Sequence, residues 1–164
     1  MLVNKFKADC RDKNGRTPLD LACFKGESSC VECLLKNGAS YQTHDSVNER
    51  TPLHAAAYNN NEECLKAIAS YLDVENQSDF KSDLLDKFGR TPLMIAVEQG
   101  HLNTISLLIN NMNADVLACD LNQRTALHRS VIKLQNVVKS FNFFRTTKIL
   151  HNFNQSIFKY VNLI

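Results

Sequence analysis

The sequence predicts an all-α fold in which short antiparallel helix pairs stack side by side along a line. The word Arg-Thr-Pro-Leu, or Arg-Thr-Ala-Leu, occurs four times, and the steps between its threonines are 34, 40 and 34 residues. The first three words are each followed by two short apolar stretches with a turn residue between them. A unit of this size cannot bury its apolar face alone, so the units must stack on one another. The four threonines are Thr17, Thr51, Thr91 and Thr125.

The first helix of each unit has clear start and stop signals. Each threonine is predicted to cap a helix, because its hydroxyl can accept a hydrogen bond from an amide of the first turn. In three units proline follows at the first helical position, where its missing N–H costs nothing. Asp20, three residues after Thr17, predicts a capping box. These first helices are predicted to end at a breaker, namely Gly26, Asn60 and Gly100.

The second helix of each unit is predicted from apolar residues spaced one, three and four positions apart, as on one helix face. Gly38 ends the first of these helices. An Asp-containing turn precedes the next cap at 12–15, 86–89 and 120–123. The 40-residue step holds an insertion around 73–83, which predicts either a lengthened edge connection or a partner-specific finger. The apolar positions are Cys30, Val31, Leu34, Leu35, Cys64, Leu65, Ile68, Ile105, Leu107 and Leu108.

These words and their spacing resemble ankyrin repeats; tetratricopeptide repeats share the 34-residue step but lack the capped Thr-Pro-Leu start. The longer strings at 15–26, 50–65, 89–104 and 124–129 are similar to consecutive repeats of the regulatory ankyrin-repeat subunits of serine/threonine-protein phosphatase 6. The resemblance covers roughly 9–130 and implies an ankyrin solenoid of about 3.5 repeats. In that family many repeats form a scaffold that recruits the catalytic phosphatase and a partner subunit. The resemblance therefore implies a non-catalytic regulatory scaffold with those two protein partners.

The predicted organisation has repeats in the middle and atypical ends. Leu134 stands where Gly26 and Gly100 end earlier helices, and no second helix of the repeat type follows it. Without polar caps at its ends the chain is expected to be a fragment of a longer array, with marginal stability. The segments are the end of a preceding repeat (1–11), a repeat (12–44), a repeat with a lengthened connection (45–85), a repeat (86–119), a partial repeat (120–133) and a divergent basic tail (134–164).

The tail differs in charge and composition from the body. Residues 131–164 carry five Lys/Arg and no acid, whereas residues 1–130 carry 14 Lys/Arg and 17 Asp/Glu. Nineteen of these 34 tail residues are Phe, Tyr, Ile, Asn or Lys, whose codons are A/T-rich, so one hypothesis is translated read-through. The alternatives are a helix that covers the last stacking face and a basic segment at 141–148 that touches a membrane surface. Comparison of the transcript with genomic DNA tests the read-through hypothesis.

Composition excludes several classes of partner. The mildly acidic body disfavours nucleic acid, which needs a basic face. No stretch approaches the roughly 20 apolar residues of a membrane span, so no membrane partner is predicted. Six cysteines, in a chain whose first residues develop no apolar run, predict reduced thiols and a cytoplasmic and/or nuclear location.

Cys30-Val-Glu-Cys33 is the most conspicuous chemical motif. A thioredoxin-type pair needs a preceding strand, and a zinc site needs a second pair at ligand spacing. Cys30 and Cys64 lie 34 residues apart, which favours structural thiols packed between helices over a redox or zinc protein.

The histidines of the repeat words are predicted to be structural. His54 and His128 stand three residues after their capping threonines, and the same position holds Asp20 and Met94 in the other units. A position that accepts His, Asp and Met is not reserved for one catalytic group. No phosphate-binding glycine loop or nucleophile elbow occurs. We therefore predict no catalytic, cofactor-binding or metal-binding residue and no enzyme.

Function is predicted to lie on the concave side, where turn tips and the ends of the first helices align. Phe24, Tyr58 and Phe88 are candidate anchors for a protein interface, whereas Arg16 and Arg90 either add planar hydrogen bonds or brace adjacent turns. The alternative to the phosphatase family is an ankyrin segment of an unrelated adaptor or channel scaffold. The predicted partner-binding residues are Lys13, Asn14, Arg16, Phe24, Lys25, Tyr58, Asn59, Lys87, Phe88, Arg90, Glu98 and Gln99.

Overall fold

The computed structural model describes the backbone of residues 8–74 and 82–140 and the side chains of 8–72 and 82–133. Within these residues the chain forms seven helices and no strand. They are α1 (Pro18–Lys25), α2 (Ser28–Lys36), α3 (Pro52–Tyr58), α4 (Glu62–Val74), α5 (Pro92–Gln99), α6 (Leu102–Met112) and α7 (Ala126–Ser140).

The helices form two layers. α1, α3, α5 and α7 pack in succession as an inner layer, and α2, α4 and α6 do so as an outer layer. The two helices of each pair also contact each other and are joined by only two or three residues, so they run antiparallel. The predicted all-α stack of helix pairs is confirmed.

The threonine caps form as predicted in the first and third units. Asp20 N donates to Thr17 Oγ1 at 3.2 Å, and Thr17 N donates back to Asp20 Oδ2 at 2.7 Å, which confirms the capping box. Met94 N donates to Thr91 Oγ1 at 3.3 Å. Each bond satisfies a first-turn amide that has no partner inside the helix.

The predicted stop signals are confirmed by left-handed backbone at Gly26, Asn60 and Gly100, with φ of +85°, +57° and +79°. α7 lacks such a residue and runs for 15 residues, against seven or eight in α1, α3 and α5. The helix therefore passes through Leu134, where the sequence predicts a change to the tail. The predictions for 141–164 lie outside the described residues.

The turns between units stack through their backbones. Ser46 N donates to the carbonyl of Asn14, and Lys87 N to that of Asn48, both at 3.0 Å. The close approach of these turns explains Gly89: its φ is +70°, and an added Cβ would lie 2.8 Å from Leu121 N. Successive turns thus form a continuous ladder on one side of the stack.

The core lies between the two layers. Its centre is built from the leucines of the Thr-Pro-Leu words and from leucines of the outer helices, all at most 1% exposed. Ala56 of α3 and Ala96 of α5 are also fully buried. The central leucines are Leu19, Leu53, Leu93, Leu35, Leu65 and Leu108.

The prediction that Cys30 is packed between helices is wrong. Cys30 is exposed and Leu34 is half-buried, whereas Cys64, one repeat later, is buried with its Sγ 3.9 Å from the carbonyl of Ala22 in the preceding unit. This position packs against the preceding unit, and the described residues contain no helix pair ahead of α1 and α2. The apolar periodicity identified the helix correctly, but it did not indicate whether a preceding repeat covers this position.

The predicted insertion at 73–83 falls partly outside the described residues. α4 extends to Val74, which makes it four residues longer than α2. At the far side of the insertion, Asp83 accepts hydrogen bonds from Asp115 N at 3.1 and 3.2 Å and so ties the connection to the next unit.

Candidate functional site

A groove of about 330 Å³ lies between the first two units, where their turns meet α1 and α3. It combines two aromatic side chains, two carboxylates and two guanidinium groups. Its lining residues are Asn14, Arg16, Asp20, Phe24, Asp45, Val47, Asn48, Arg50, Thr51, Ala55 and Tyr58. Four of the predicted partner-binding residues therefore meet here.

Asp20 is a buried acid in the wall of the groove. The residue is only 4% exposed, and its Oδ2 accepts hydrogen bonds from the amide and hydroxyl of Thr17 at 2.7 and 2.9 Å. Its Oδ1 makes no hydrogen bond with any described residue. Burial raises the pKa of Asp20 to about 6, against the hydrogen bonds from Thr17; repulsion by Asp45 adds to the rise and Arg11 offsets part of it. The site thus holds a carboxylate that forms no ion pair with any described side chain.

Asp45 is the second carboxylate of the groove. It closes the turn before α3, and its two oxygens accept hydrogen bonds from the amides of Val47, Asn48 and Arg50 at 2.7–3.1 Å. Among the described side chains, no Lys, Arg or His forms an ion pair with it. Both acids of the groove are therefore held by neutral donors only.

The two arginines of the groove direct their charge to acids outside it. Arg16 donates from Nε and Nη2 to Asp12 Oδ2 at 2.9 and 2.7 Å. The guanidinium of Arg50 makes no hydrogen bond within the described part of the chain; its nearest acid oxygen is Asp86 Oδ2 of the next unit, 4.0 Å from Nε. Arg50 also lies over the ring of Tyr58, 5.3 Å from its centroid.

Turn length explains the behaviour of Arg50. In the other three turns the arginine follows the aspartate by four residues and donates to it from its side chain, as Arg90 does to Asp86. Asp45 and Arg50 are five residues apart, and only the backbone amide of Arg50 reaches Asp45, at 3.1 Å. Because of the additional residue, the guanidinium of Arg50 makes no hydrogen bond to the aspartate of its own turn.

Phe24 and Tyr58 supply the aromatic surface of the groove. Both stand seven residues after a capping threonine, and their exposed fractions are 45% and 40%. Large, half-exposed aromatic side chains beside a concave polar surface are typical anchors of protein interfaces. The repeat thus places two such anchors in successive units.

The corresponding surface of the third and fourth units is a charge network. Arg90 donates to Asp86 Oδ2 at 2.7–2.8 Å and to Glu98 Oε2 at 3.1 Å. Arg129, 8% exposed, pairs with both Glu98 and Asp120. Burial opposes the charges of Asp86 and Asp120, but hydrogen bonds from the arginine and amides of each turn outweigh it and lower both pKa values. Here each acid is paired with at least one arginine, although the buried Nε of Arg129 has no hydrogen-bond partner among the described residues.

His54 is a structural link between the second and third units. Its Nδ1 accepts from the amide of Thr51 at 3.1 Å, which leaves the proton on Nε2, 2.9 Å from the carbonyl of Arg90. Burial lowers its pKa to about 4, although the bond to Arg90 and the charge of Asp86 act against this. His54 is thus neutral near pH 7, and the predicted structural role matches these contacts.

The remaining predicted residues are spread along the concave side. Phe88 is 47% exposed but lies outside the groove, with Lys87 and Arg90 5.1 and 4.8 Å from its ring centroid. Lys87 also donates to the carbonyl of Val47 at 2.7 Å. Arg90 and Glu98 belong to the network, which favours the bracing interpretation of Arg90. Lys13, Asn14, Lys25, Asn59 and Gln99 are exposed or half-buried.

Sequence reasoning missed Asp20, Asp45 and Arg50 as groove residues. Asp20 was visible as the only acid at the place of His54, Met94 and His128. Asp45 was hidden because its turn is one residue longer and lacks glycine.

The other candidate chemistry stays without support. Cys30 and Cys33 are both exposed on α2. Across 8–74 and 82–140, no group of three or more His, Cys, Asp or Glu side chains is placed to hold a metal ion. In the same residues, no helix is both long and apolar enough to cross a membrane.

Comparison with known proteins gives matches along most of the chain. A family model of ankyrin repeats, in three copies, matches residues 1–79 and 72–141. These matches cover all seven helices and both surfaces described above.

The chain is similar to segments of much longer proteins. It is 32% identical over 117 residues to the putative E3 ubiquitin-protein ligase XBAT31 of Arabidopsis thaliana, a match that covers 68% of the chain and 26% of the relative. It is 30% identical over 141 residues to the tyrosine-protein kinase HTK16 of Hydra vulgaris, with 83% and 18% covered. With inversin of Canis lupus familiaris it shares 32% identity over 131 residues, with 79% and 11% covered. The chain thus spans about a quarter or less of the length of these relatives.

Proposed function

Because the chain belongs to the ankyrin-repeat family, a non-catalytic interaction fold, we propose that it binds protein partners mainly through the groove between its first two repeats. One observation carries this choice of surface. Phe24 and Tyr58 stand half-exposed beside two acids without an ion-pair partner, whereas the concave surface of the later repeats is occupied by its own ion pairs.

The physical basis is the difference in what a partner must displace. At the groove, contact with Phe24 and Tyr58 buries apolar surface and breaks no ion pair, although Arg50 lies over the ring of Tyr58. At the network, a partner's charge must compete with Arg129 for Glu98 and Asp120, and breaking buried pairs is costly. The groove is therefore the favoured contact surface.

The finer proposal is a regulatory scaffold of protein phosphatase 6, with the catalytic subunit and a further regulatory subunit as partners. It rests on the repeat words at 15–26, 50–65 and 89–104, and the relatives named above carry other functions. The same proposal places the chain in the cytoplasm and/or nucleus, since its six cysteines suit a reducing compartment.

The alternative is a recognition segment of an unrelated multidomain protein. The relatives named above favour it, because the segments that match this chain occur in proteins named as a putative ubiquitin ligase, a tyrosine kinase and inversin. In that case catalysis lies elsewhere in a longer polypeptide, and this segment selects the partner.

Affinity capture with the full chain, followed by quantitative mass spectrometry, tests these proposals. Wild type is compared with the double variant Phe24→Ala/Tyr58→Ala and with Phe88→Ala, whose ring is equally exposed but lies outside the groove. We expect specific partners to be lost from the double variant and retained by Phe88→Ala. Recovery of phosphatase 6 subunits supports the finer proposal, and recovery of other partners supports the alternative. Equal recovery by all three proteins would refute the groove as the binding surface.

A further inference from the structure

The acids of the groove form no ion pair with any described side chain, and this indicates what the groove binds. Asp20 is more than nine-tenths buried as a residue, but its Oδ1 still reaches solvent and has no hydrogen-bond partner among the described residues, while Asp45 accepts only from backbone amides. A buried carboxylate without a cation is costly, and such costs are retained where they serve a site. The same position holds His54, Met94 and His128 in the other repeats, so the fold itself does not require an acid there.

The aromatic side chains supply the second half of the argument. Phe24 and Tyr58 line the same groove as Asp20, and each exposes roughly two-fifths of its surface. Aromatic faces attract ammonium and guanidinium groups, most strongly where solvent is partly excluded. Tyr58 already holds Arg50 near its ring, 5.3 Å from the centroid, so this environment accepts a guanidinium.

The arginines of the groove do not fill this role. Arg16 is bound to Asp12, and Arg50 lies nearest to Asp86 of the next unit. Their charges make the entrance less attractive to a cation, but neither forms an ion pair with Asp20 or Asp45 in the described structure. An incoming carboxylate would face both of these acids.

We infer that the groove binds a positively charged side chain, arginine or lysine, of a protein partner: the cationic head pairs with Asp20 and the aliphatic stem lies against Phe24 and Tyr58. This rests on the proposed function, because it names the chemistry that the same surface recognises. A groove of about 330 Å³ lies at the lower end of the range of ligand sites, roughly 300–1,000 Å³, and suits one side chain rather than a folded element.

The test uses the uniformly ¹⁵N-labelled full chain, titrated with N-acetyl-arginine N-methylamide and with N-acetyl-lysine N-methylamide, followed by amide chemical shifts. The neutral control is the citrulline analogue of the arginine probe, and the anionic control is N-acetyl-glutamate N-methylamide. We expect a saturable shift of the Asn14, Thr51 and Ala55 amides with at least one cationic probe, and no saturable shift with either control. Stronger shifts with the glutamate probe would overturn the inference in favour of an anion site on Arg50.

Two variants at position 20 distinguish the role of the Asp20 charge in binding from its role in folding. Asp20→Asn keeps an acceptor for the Thr17 amide but removes the charge, and it should weaken binding by roughly tenfold or more. Asp20→His removes the acid in a way that the second repeat already accepts, so it serves if the Asn variant folds poorly. Glu32→Gln, which removes an exposed carboxylate from α2, should bind like wild type. Unchanged binding by folded variants at Asp20 would refute the inference.

Affinity for the cationic probe should fall as the pH is lowered from 7.5 to 5, because Asp20 becomes protonated. The charged groups around it are the carboxylate of Asp45 and the guanidinium groups of Arg11, Arg16 and Arg50. These measurements need no protein partner. Loss of captured partners in Phe24→Ala/Tyr58→Ala, together with no binding of either cationic probe, would therefore leave the proposed function standing and remove this inference.

Discussion

The groove of the first two repeats and the charge network of the last two are built from the same repeat positions. Seven residues after the cap, the groove has Phe24 and Tyr58, whereas the network has Glu98. In the network, Glu98 is paired with Arg90 and Arg129; in the groove, Asp20 and Asp45 have no ion-pair partner among the described side chains. The comparison shows that one repeat can use a surface position for stability and another can leave it open for recognition.

The largest expected effect separates the two regions by stability. Arg129→Ala removes the charge-assisted hydrogen bonds to Glu98 and Asp120, and it should lower the free energy of unfolding by about 3 kcal/mol even though Glu98 keeps Arg90 and Asp120 keeps Arg124. Arg16→Ala breaks an exposed pair with Asp12 and should change it little. Urea unfolding with hydrogen exchange of α7 measures both. Equal losses in the two variants would contradict the assignment of the network as the stabilising region.

A pH series sharpens the contrast between Asp20 and His54, which occupy the same repeat position. The pKa of Asp20 is raised to about 6, so the folded chain holds this proton more tightly than the unfolded chain. The contribution of Asp20 to the free energy of unfolding therefore falls as the pH rises from about 4 to 6. The pKa of His54 is lowered to about 4, so its share falls as the pH drops from about 6.5 to 4. The two slopes oppose each other in the wild-type chain.

Asp20→Asn should expose the histidine effect. Between pH 7 and 5 this variant should lose about 2 kcal/mol of unfolding free energy, and His54→Met should lose none. The measurement is urea unfolding at both pH values. A parallel pH response in wild type and Asp20→Asn would show that the buried carboxylate does not titrate as its surroundings indicate.

Asp20→His tests whether the acid at this position makes the fold less stable than a histidine would. A histidine can reach the carbonyl of the next turn, as His54 reaches that of Arg90 at 2.9 Å, so the variant should be more stable by about 1 kcal/mol at pH 7. The reciprocal His54→Asp should be destabilised, because it loses the bond to Arg90 and buries a charge. Thermal unfolding compares them. A less stable Asp20→His would mean that the acid is structurally required.

The smallest effect concerns the turns beside the two regions. Glu49, in the groove turn, and Gln123, in the network turn, have φ of +54° and +57°, a region that favours glycine. Glu49→Gly and Gln123→Gly should each gain about 0.5 kcal/mol, since relief of strain exceeds the added freedom of the unfolded chain. Gln42→Gly, at an exposed position without positive φ, should lose stability slightly. A loss at Glu49 alone would show that its side chain supports the longer turn.

Local signals were predictable because their physics is local. Thr17 and Asp20 form a capping box within three residues, and Gly26 and Gly100 adopt left-handed backbone at the ends of α1 and α5. None of these depends on another repeat. The aromatic character of Phe24 and Tyr58, and their shared register, was also visible in the repeat alignment.

The incorrect and missed predictions concern residues whose surroundings depend on other parts of the repeat array. Cys30 and Cys64 have the same register, yet only Cys64 has a preceding repeat to bury it among the described residues. Arg50 and Arg90 belong to the same word, but one additional turn residue directs Arg50 away from its own aspartate.

By itself the sequence determined the helix pairs, their caps and their stacking order, because a capped helix with one apolar face is specified by residues a few positions apart. Only the tertiary structure decided which charges find a partner. Asp20 and Glu98 are both acids on first helices, but Glu98 meets Arg129 from the next repeat, whereas no lysine, arginine or histidine forms an ion pair with Asp20 in the described structure. Charge pairing depends on distances between atoms far apart in the chain, and these distances are set when the repeats pack.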